Sequence, residues 1–405
     1  MTRGEVALST ISWNVLSIPL VAGLVGWFTN WLAIWMTFHP LRFIGIPPWL
    51  GWQGIIPRKA EKMARNFVDT SMARLGTATE LFEGMEPNVM ARHVEAVLEP
   101  RIEHYTDDVL LASSGELWEQ APTWVRKRVY RAVREQLPVL VRTTLADISA
   151  RLDELLDFRH MVVSRLVEDR ILLNRLFLES GSEEFRFLVR SGLYFGFLFG
   201  LLELFVWWLW PNPLQLPVFG ALVGYATNWL ALNLIFRPLY PIQLGPWTLQ
   251  GLFLRRQKEV AAVWCRLVTR EILTVRRFMQ SMITGPRGER ARQTILEHVR
   301  PLVDRALASI GPLAQLVLEP KTLERIAENF GRKAIEVSGD PFEDERFNED
   351  RSRVIEAMLR ERMENLSPEE FQNLLRPCFQ EDEMTLILLG AALGGLAGWV
   401  QMLWF

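Results

Sequence analysis

The chain has 405 residues with 45 Lys+Arg against 47 Asp+Glu, so it is long enough for two or three domains, and its balanced charge argues against a broad nucleic-acid-binding surface. Two cysteines, Cys265 and Cys378, cannot make a disulfide framework. Hydrophobic residues make up 49% of the chain, with 16 Trp, and they gather in four long runs, which argues against an ordinary soluble globule.

The first run, residues 11–38, carries no charge and is long enough to cross a hydrocarbon core of about 30 Å at about 1.5 Å per residue. It exceeds the apolar stretch of about 7–15 residues in a signal peptide and ends in no small-residue cleavage site, so it is expected to be retained as transmembrane helix 1. Residues 39–186 form a first polar domain. Its opening, 39–56, is apolar but broken by Pro40, Pro47, Pro48, Gly45, Gly51 and Gly54, and its Trp49 and Trp52 suit a segment at headgroup level. Further on, Leu145, Ile148, Leu152 and Leu155, then Val162 and Leu166, keep helical spacing on one apolar stripe.

Transmembrane helix 2 is predicted over 187–210, with Arg190 near its start and Glu203 inside it, and a Pro-rich turn over 211–217 leads into transmembrane helix 3, 214–236. A second polar domain, 237–383, has its own stripe through Leu296, Val299, Leu302 and Val303, then Leu323, Ile326 and Ala327. The run 384–405 is transmembrane helix 4. Strand-like alternation is scarce, so both polar domains are expected to be α-helical bundles or hairpins, with packing against each other left open.

The two halves resemble one another. Laying Ala22–Leu41 over Gly220–Leu239, an offset of 198, gives eleven identities in twenty positions. They include Gly26, Thr29, Asn30 and Pro40, answered by Gly224, Thr227, Asn228 and Pro238. In the second and fourth helices, Gly196, Gly200 and Trp210 line up with Gly390, Gly394 and Trp404 at an offset of 194. The fold class expected is an all-α membrane protein, with four transmembrane helices in two parallel repeats, each carrying a helical extramembrane domain.

Four strings extend this reading: Gly-Trp-Phe-Thr-Asn-Trp-Leu-Ala-Ile from Gly26, Leu-Leu-Asn-Arg-Leu-Phe from Leu172, Ser-Gly-Leu-Tyr-Phe-Gly-Phe-Leu-Phe-Gly from Ser191, and Gln-Gly-Leu-Phe-Leu-Arg-Arg-Gln from Gln250. With them the chain resembles the uncharacterised bacterial membrane-protein family of YheB and YjiN type, domain of unknown function 445. The resemblance implies a bacterial inner-membrane protein with helical extramembrane domains, and it brings no reaction and no catalytic residue.

Basic residues near the helix ends are asymmetric. Arg42, Arg58, Lys59, Lys62, Arg170, Arg175, Arg186, Arg190, Arg237, Arg255, Arg256, Lys258 and Arg376 lie on the side of the polar domains, and Arg3 alone lies opposite. The positive-inside rule therefore predicts cytoplasmic polar domains.

No phosphate loop, nucleophile elbow, paired-Cys zinc pattern or His-Glu-x-x-His is present, so no catalytic residue, metal site or cofactor is expected. The polar candidates lie inside the membrane. Asn30 and Asn228 sit roughly 12 Å from the polar-domain side, and Glu203 and Gln401 roughly 24 Å. The asparagines are expected to serve as interhelical hydrogen-bond glue, whereas Glu203 either snorkels to the outer interface or lines a path. Gly192, Gly196 and Gly200 on the second helix, and Gly390, Gly394 and Gly398 on the fourth, form small-residue faces expected to satisfy one another within the monomer, or between copies in a homo-oligomer.

On sequence grounds the leading reading is a non-enzymatic scaffold or interaction protein that positions helical domains for a protein partner. The alternative is a small transporter or lipid-handling protein using the repeat interface, with Glu203, Asn30 and Asn228 lining a path. A lipid-sized groove lined by the helical stripes favours the second, and a close-packed bundle favours the first. Membrane lipids are partners in either case, and no nucleic acid is expected.

Overall fold

The computed structural model describes residues 17–46, 50–72, 75–310, 320–380 and 383–403. The start of the first run, Arg3, Trp49 and Trp404 lie outside them. The described chain divides into two compact units.

Unit 1 comprises residues up to 71, 166–264 and from 362 onward, and it holds all four helices long and apolar enough to cross a membrane. These are α1 (Ile18–Phe38), α2 (Ser182–Leu209), α3 (Gln215–Phe236) and α4 (Glu383–Met402). The second begins five residues before the predicted start, because Ser182–Arg186 continue the helix after Gly181 without a breaker, and at about 42 Å it outruns the hydrocarbon core. Between 22% and 39% of each span is buried within the protein, so most of each apolar helix is left for lipid.

α2 lies along α1, and α4 lies along α3. What holds each pair is backbone against backbone. A Cβ placed on Gly196 would stand 2.6 Å from the Ala22 carbonyl oxygen, and one on Gly26 would collide with the Gly192 carbonyl. In the other pair, Gly394 meets the Gly220 carbonyl and Gly224 meets that of Gly390. Contrary to the sequence expectation, the glycine faces of α2 and α4 therefore do not satisfy one another. Each is filled by the small residues of the helix beside it, which bring a matching concave face. The offset between α2 and α4 is also corrected, since Gly192, Gly196 and Gly200 make the contacts of Gly390, Gly394 and Gly398, a shift of 198 and not 194. A glycine face repeats every four residues, so sliding it by one turn still aligns glycines, and only the facing carbonyls set the register.

Both α1 and α3 stop at a residue that precedes proline. His39 (φ −130°, ψ 152°) and Arg237 (φ −137°, ψ 151°) are extended, the conformation to which a following proline ring confines them. Both X-Pro bonds, His39-Pro40 and Arg237-Pro238, are cis. Short antiparallel hairpins follow, β1 (Ile44–Ile46) with β2 (Leu50–Trp52), and β3 (Ile242–Leu244) with β4 (Trp247–Leu249). Gly245, at φ +61°, opens the second turn, where a side chain would be strained. These hairpins escaped the sequence reading because three-residue strands carry too little alternation to register. Each loop is tied by a glutamine, Gln53 Nε2 donating to Leu41 O at 2.9 Å and Gln250 Nε2 to Leu239 O at 3.2 Å.

Unit 2 comprises residues 72–165 and 265–361, the middle parts of both polar segments. Its main helices are α5 (Pro87–Leu98), α6 (Ile102–Glu119), α7 (Thr123–Ala150), α8 (Gly288–Ile310) and α9 (Pro320–Val337). α7 packs on α8 and α5, and α9 packs on α8 and α6. The predicted stripes form this core, with Leu145, Ile148, Val299, Leu302 and Ile326 all buried, whereas Leu296 lies at its edge, 38% exposed. Asp107 fastens α6 to α7 by accepting from Trp118 Nε1 at 2.9 Å and from the Tyr130 hydroxyl. Burial, then that bond, pushes the Tyr130 phenol up to about 12.

Replacing Gly196 and Gly394 together with Ile is expected to abolish folding or sharply lower the melting temperature in detergent. The same change at Leu198 and Leu396, 55% and 60% exposed, should leave it within about 2 °C. Equal losses in the two double variants would overturn the backbone-contact packing.

Candidate functional site

The four intramembrane polar candidates fall into two layers of unit 1. In the first, Asn30 is fully buried on α1 and its Nδ2 donates 2.8 Å to the Leu188 carbonyl of α2. Asn228, 2% exposed on α3, donates 2.9 Å to the Leu386 carbonyl of α4. The two bonds stand at the same offset of 198 as the glycine contacts beside them. A side-chain amide can bond a helix backbone carbonyl only where the two backbones nearly touch, so small residues and asparagines act together. The structure does not bring Asn30 and Asn228 together; each closes its own helix pair. Thr29 and Thr227 bond back to Gly26 and Gly224 within their own helices.

The second layer holds Glu203 and Gln401, and here the structure does bring two candidates to one place. Both line a cavity of 20 Å³ with Thr29, Gly26, Gly220 and Gly398. Glu203 is 3% exposed, so it faces the bundle and does not snorkel. Its direction follows from register, since it continues the inward face of α2 through Gly192, Gly196 and Gly200.

At the polar-domain end of the spans, features appear that the sequence reading did not single out. Asn174 Nδ2 donates 2.7 Å to Phe38 O, the last residue of α1, and Arg256 makes a two-pronged pair with the buried Glu184 at 2.9 and 3.1 Å. Such a pair joins residues 72 apart and leaves no periodic trace in the sequence. Asn174 stood within one of the strings that carried the family resemblance, which was its only signal.

Unit 2 contains a chamber of 170 Å³. Its walls are almost wholly apolar and include Leu137, Ile148, Val299, Leu302 and Phe342, so the two predicted stripes face one shared space. The Thr106 hydroxyl, on a residue 1% exposed, lines it without a hydrogen-bond partner. Lys333 also lines it, with its ammonium 3.2 Å from Asp108 and 5.4 Å from the centre of the Tyr105 ring. The hydrogen bond that the Lys333 ammonium donates to Asp108 raises its pKa. Among the described residues, no group of three or more His, Cys, Asp or Glu is placed to hold a metal ion. His104 lies 3.7 Å from Asp108 on an exposed helix face.

Comparison with known proteins agrees with the resemblance drawn from the four strings. Residues 20–173 match the family model described as Protein of unknown function (DUF445). A UPF0754 membrane protein of Nostoc sp. is 42% identical over 71 residues, 17% of either chain. One from Shouchella clausii is 44% identical over 70 residues, 16% of this chain and 18% of its own, and one from Thermosynechococcus vestitus is 36% identical over 88 residues, 21% of either. The chain thus spans about a fifth of the length of these curated relatives, whose names carry no activity. No solved structure matches. The chain is therefore an integral membrane protein similar to an uncharacterised membrane-protein family.

Substituting Asn30 or Asn228 with Leu removes one interhelical bond each. The loss expected is about 0.6–1.7 kcal/mol per site in reversible unfolding from detergent, with the two sites additive because they serve different helix pairs. A double variant no less stable than either single variant would count against this role.

Proposed function

We propose that this chain is a non-enzymatic lipid-handling protein of the bacterial inner membrane, in which unit 2 is an extramembrane domain that shelters the acyl chain of a membrane lipid. The observation that carries this reading is the 170 Å³ apolar chamber between the two stripes. An engineered apolar cavity of about 150 Å³ takes up benzene, so a space of this size and largely apolar lining accepts hydrocarbon. Left uncovered, its apolar walls would face water at a cost in hydrophobic free energy. A bound acyl chain covers those walls. The unpartnered Thr106 hydroxyl supplies one donor for a lipid carbonyl, and the Lys333 ammonium marks a charged edge.

The scaffold reading draws its support from unit 1, where backbone contacts close the helix pairs and cavities among the described residues include ones of 20 and 60 Å³. The two readings are compatible, since one chain carries both the helix bundle and the proposed lipid-binding unit. Orientation rests on the thirteen basic residues on the polar-domain side, which favour cytoplasmic domains. The halves are read as parallel repeats about an axis along the membrane normal, supported by the contacts that recur at 198.

Native mass spectrometry of the whole protein, released gently from membranes, is expected to show co-purified lipid that Val299→Trp displaces by filling the chamber. Identical lipid content in the wild type and a folded Val299→Trp variant would refute the binding role. Single cysteines at the exposed Glu116 or Glu343 should resist an impermeant reagent in intact spheroplasts, and labelling there would reverse the orientation.

A further inference from the structure

Glu203 poses a problem that neither the packing nor lipid binding resolves. It lies within a membrane span, is 3% exposed, and lines the 20 Å³ cavity shared by α1, α2, α3 and α4. A carboxylate in such a place must be neutralised, because an uncompensated buried charge costs several kcal/mol even after relaxation. Among the described residues that line the cavity, none does this. The groups that face it are Ala22, Val25, Gly26 and Thr29 from α1, Leu216, Gly220, Val223 and Gly224 from α3, and Gly394, Gly398 and Gln401 from α4. None of these is basic, and none titrates.

We propose that Glu203 and Gln401 form a binding site for one monovalent cation, a proton or an alkali-metal ion, within the four-helix bundle. The site carries a single negative charge, so one positive charge balances it and a divalent ion would not. Its size agrees, since about 10–15 Å³ holds one water-sized sphere and the cavity offers 20 Å³. Its donors agree as well. Gln401 brings a side-chain amide to the same cavity, whose carbonyl oxygen is the atom that can meet a cation, and the Thr29 hydroxyl, donating 3.2 Å to Gly26 O, keeps its lone pairs free. Residues 203 and 401 also stand at the offset of 198 that governs the interhelical contacts. The two halves therefore present an acid and an amide at matching positions, a charged ligand and a neutral one.

The test uses the whole protein in nanodiscs, with its melting temperature followed against pH and against NaCl or choline chloride at equal ionic strength. If an alkali-metal ion binds, sodium raises the midpoint over choline by about 3 °C at a hundredfold excess over its dissociation constant, and Glu203→Gln removes that rise. In the proton case, sodium and choline are equivalent, and infrared spectra of the wild type show a neutral-carboxyl band that Glu203→Asp shifts and Glu203→Gln removes. Gln401→Leu, which keeps the charge but removes its neutral partner, should weaken sodium binding or displace the carboxyl band. A wild type indifferent to sodium and lacking any carboxyl band assignable to Glu203 would overturn the proposal.

Discussion

Everything in the membrane half depends on two helix backbones being allowed to touch. Apolar side chains gain little by leaving lipid for protein, so association must come from close van der Waals contact and interhelical hydrogen bonds. Glycines at 26, 192 and 196, and at 220, 224, 390 and 394, remove the side chains that would hold the helices apart. Only at that separation can Asn30 reach Leu188 O and Asn228 reach Leu386 O. The same approach determines the inward direction of α2, and with it the burial of Glu203. A carboxylate one or two positions round the helix would face lipid or reach the interface.

The two units solve opposite packing problems. Unit 1 has no hydrophobic driving force between its spans and compensates with close contact, leaving cavities of 20 and 60 Å³. Unit 2 is assembled by ordinary apolar burial, which is non-directional and tolerates a void where long helices diverge. Its stripes on α7 and α8 are broad enough to surround 170 Å³ while keeping most of their side chains buried. The larger apolar space therefore appears where the driving force can sustain a cavity, and only a small one appears beside Glu203.

Repetition gives these features their arrangement. A glutamine closes each short hairpin loop, a pre-proline residue ends α1 and α3, and an asparagine locks each helix pair. Against that shared frame the differences stand out. Position 203 is an acid and position 401 an amide, so a single charge sits among four helices that otherwise supply matched contacts.

The all-helical class, the four spans and the apolar stripes were legible in the sequence, because each rests on a local quantity: run length, charge content or 3.6-residue periodicity. So were the residues of both intramembrane polar layers, since a polar side chain in a long apolar run is conspicuous by composition alone. Tertiary structure alone decided which glycine face meets which helix, the register of 198 over 194, the inward direction of Glu203, and the union of residues 72–165 and 265–361 around one chamber. The reason is physical. Periodicity shows that a helix has an apolar or small-residue face, but a face that repeats every turn fits many partners equally well along its length. The choice among them is made by contacts between residues more than a hundred positions apart, and these leave no mark on the local pattern.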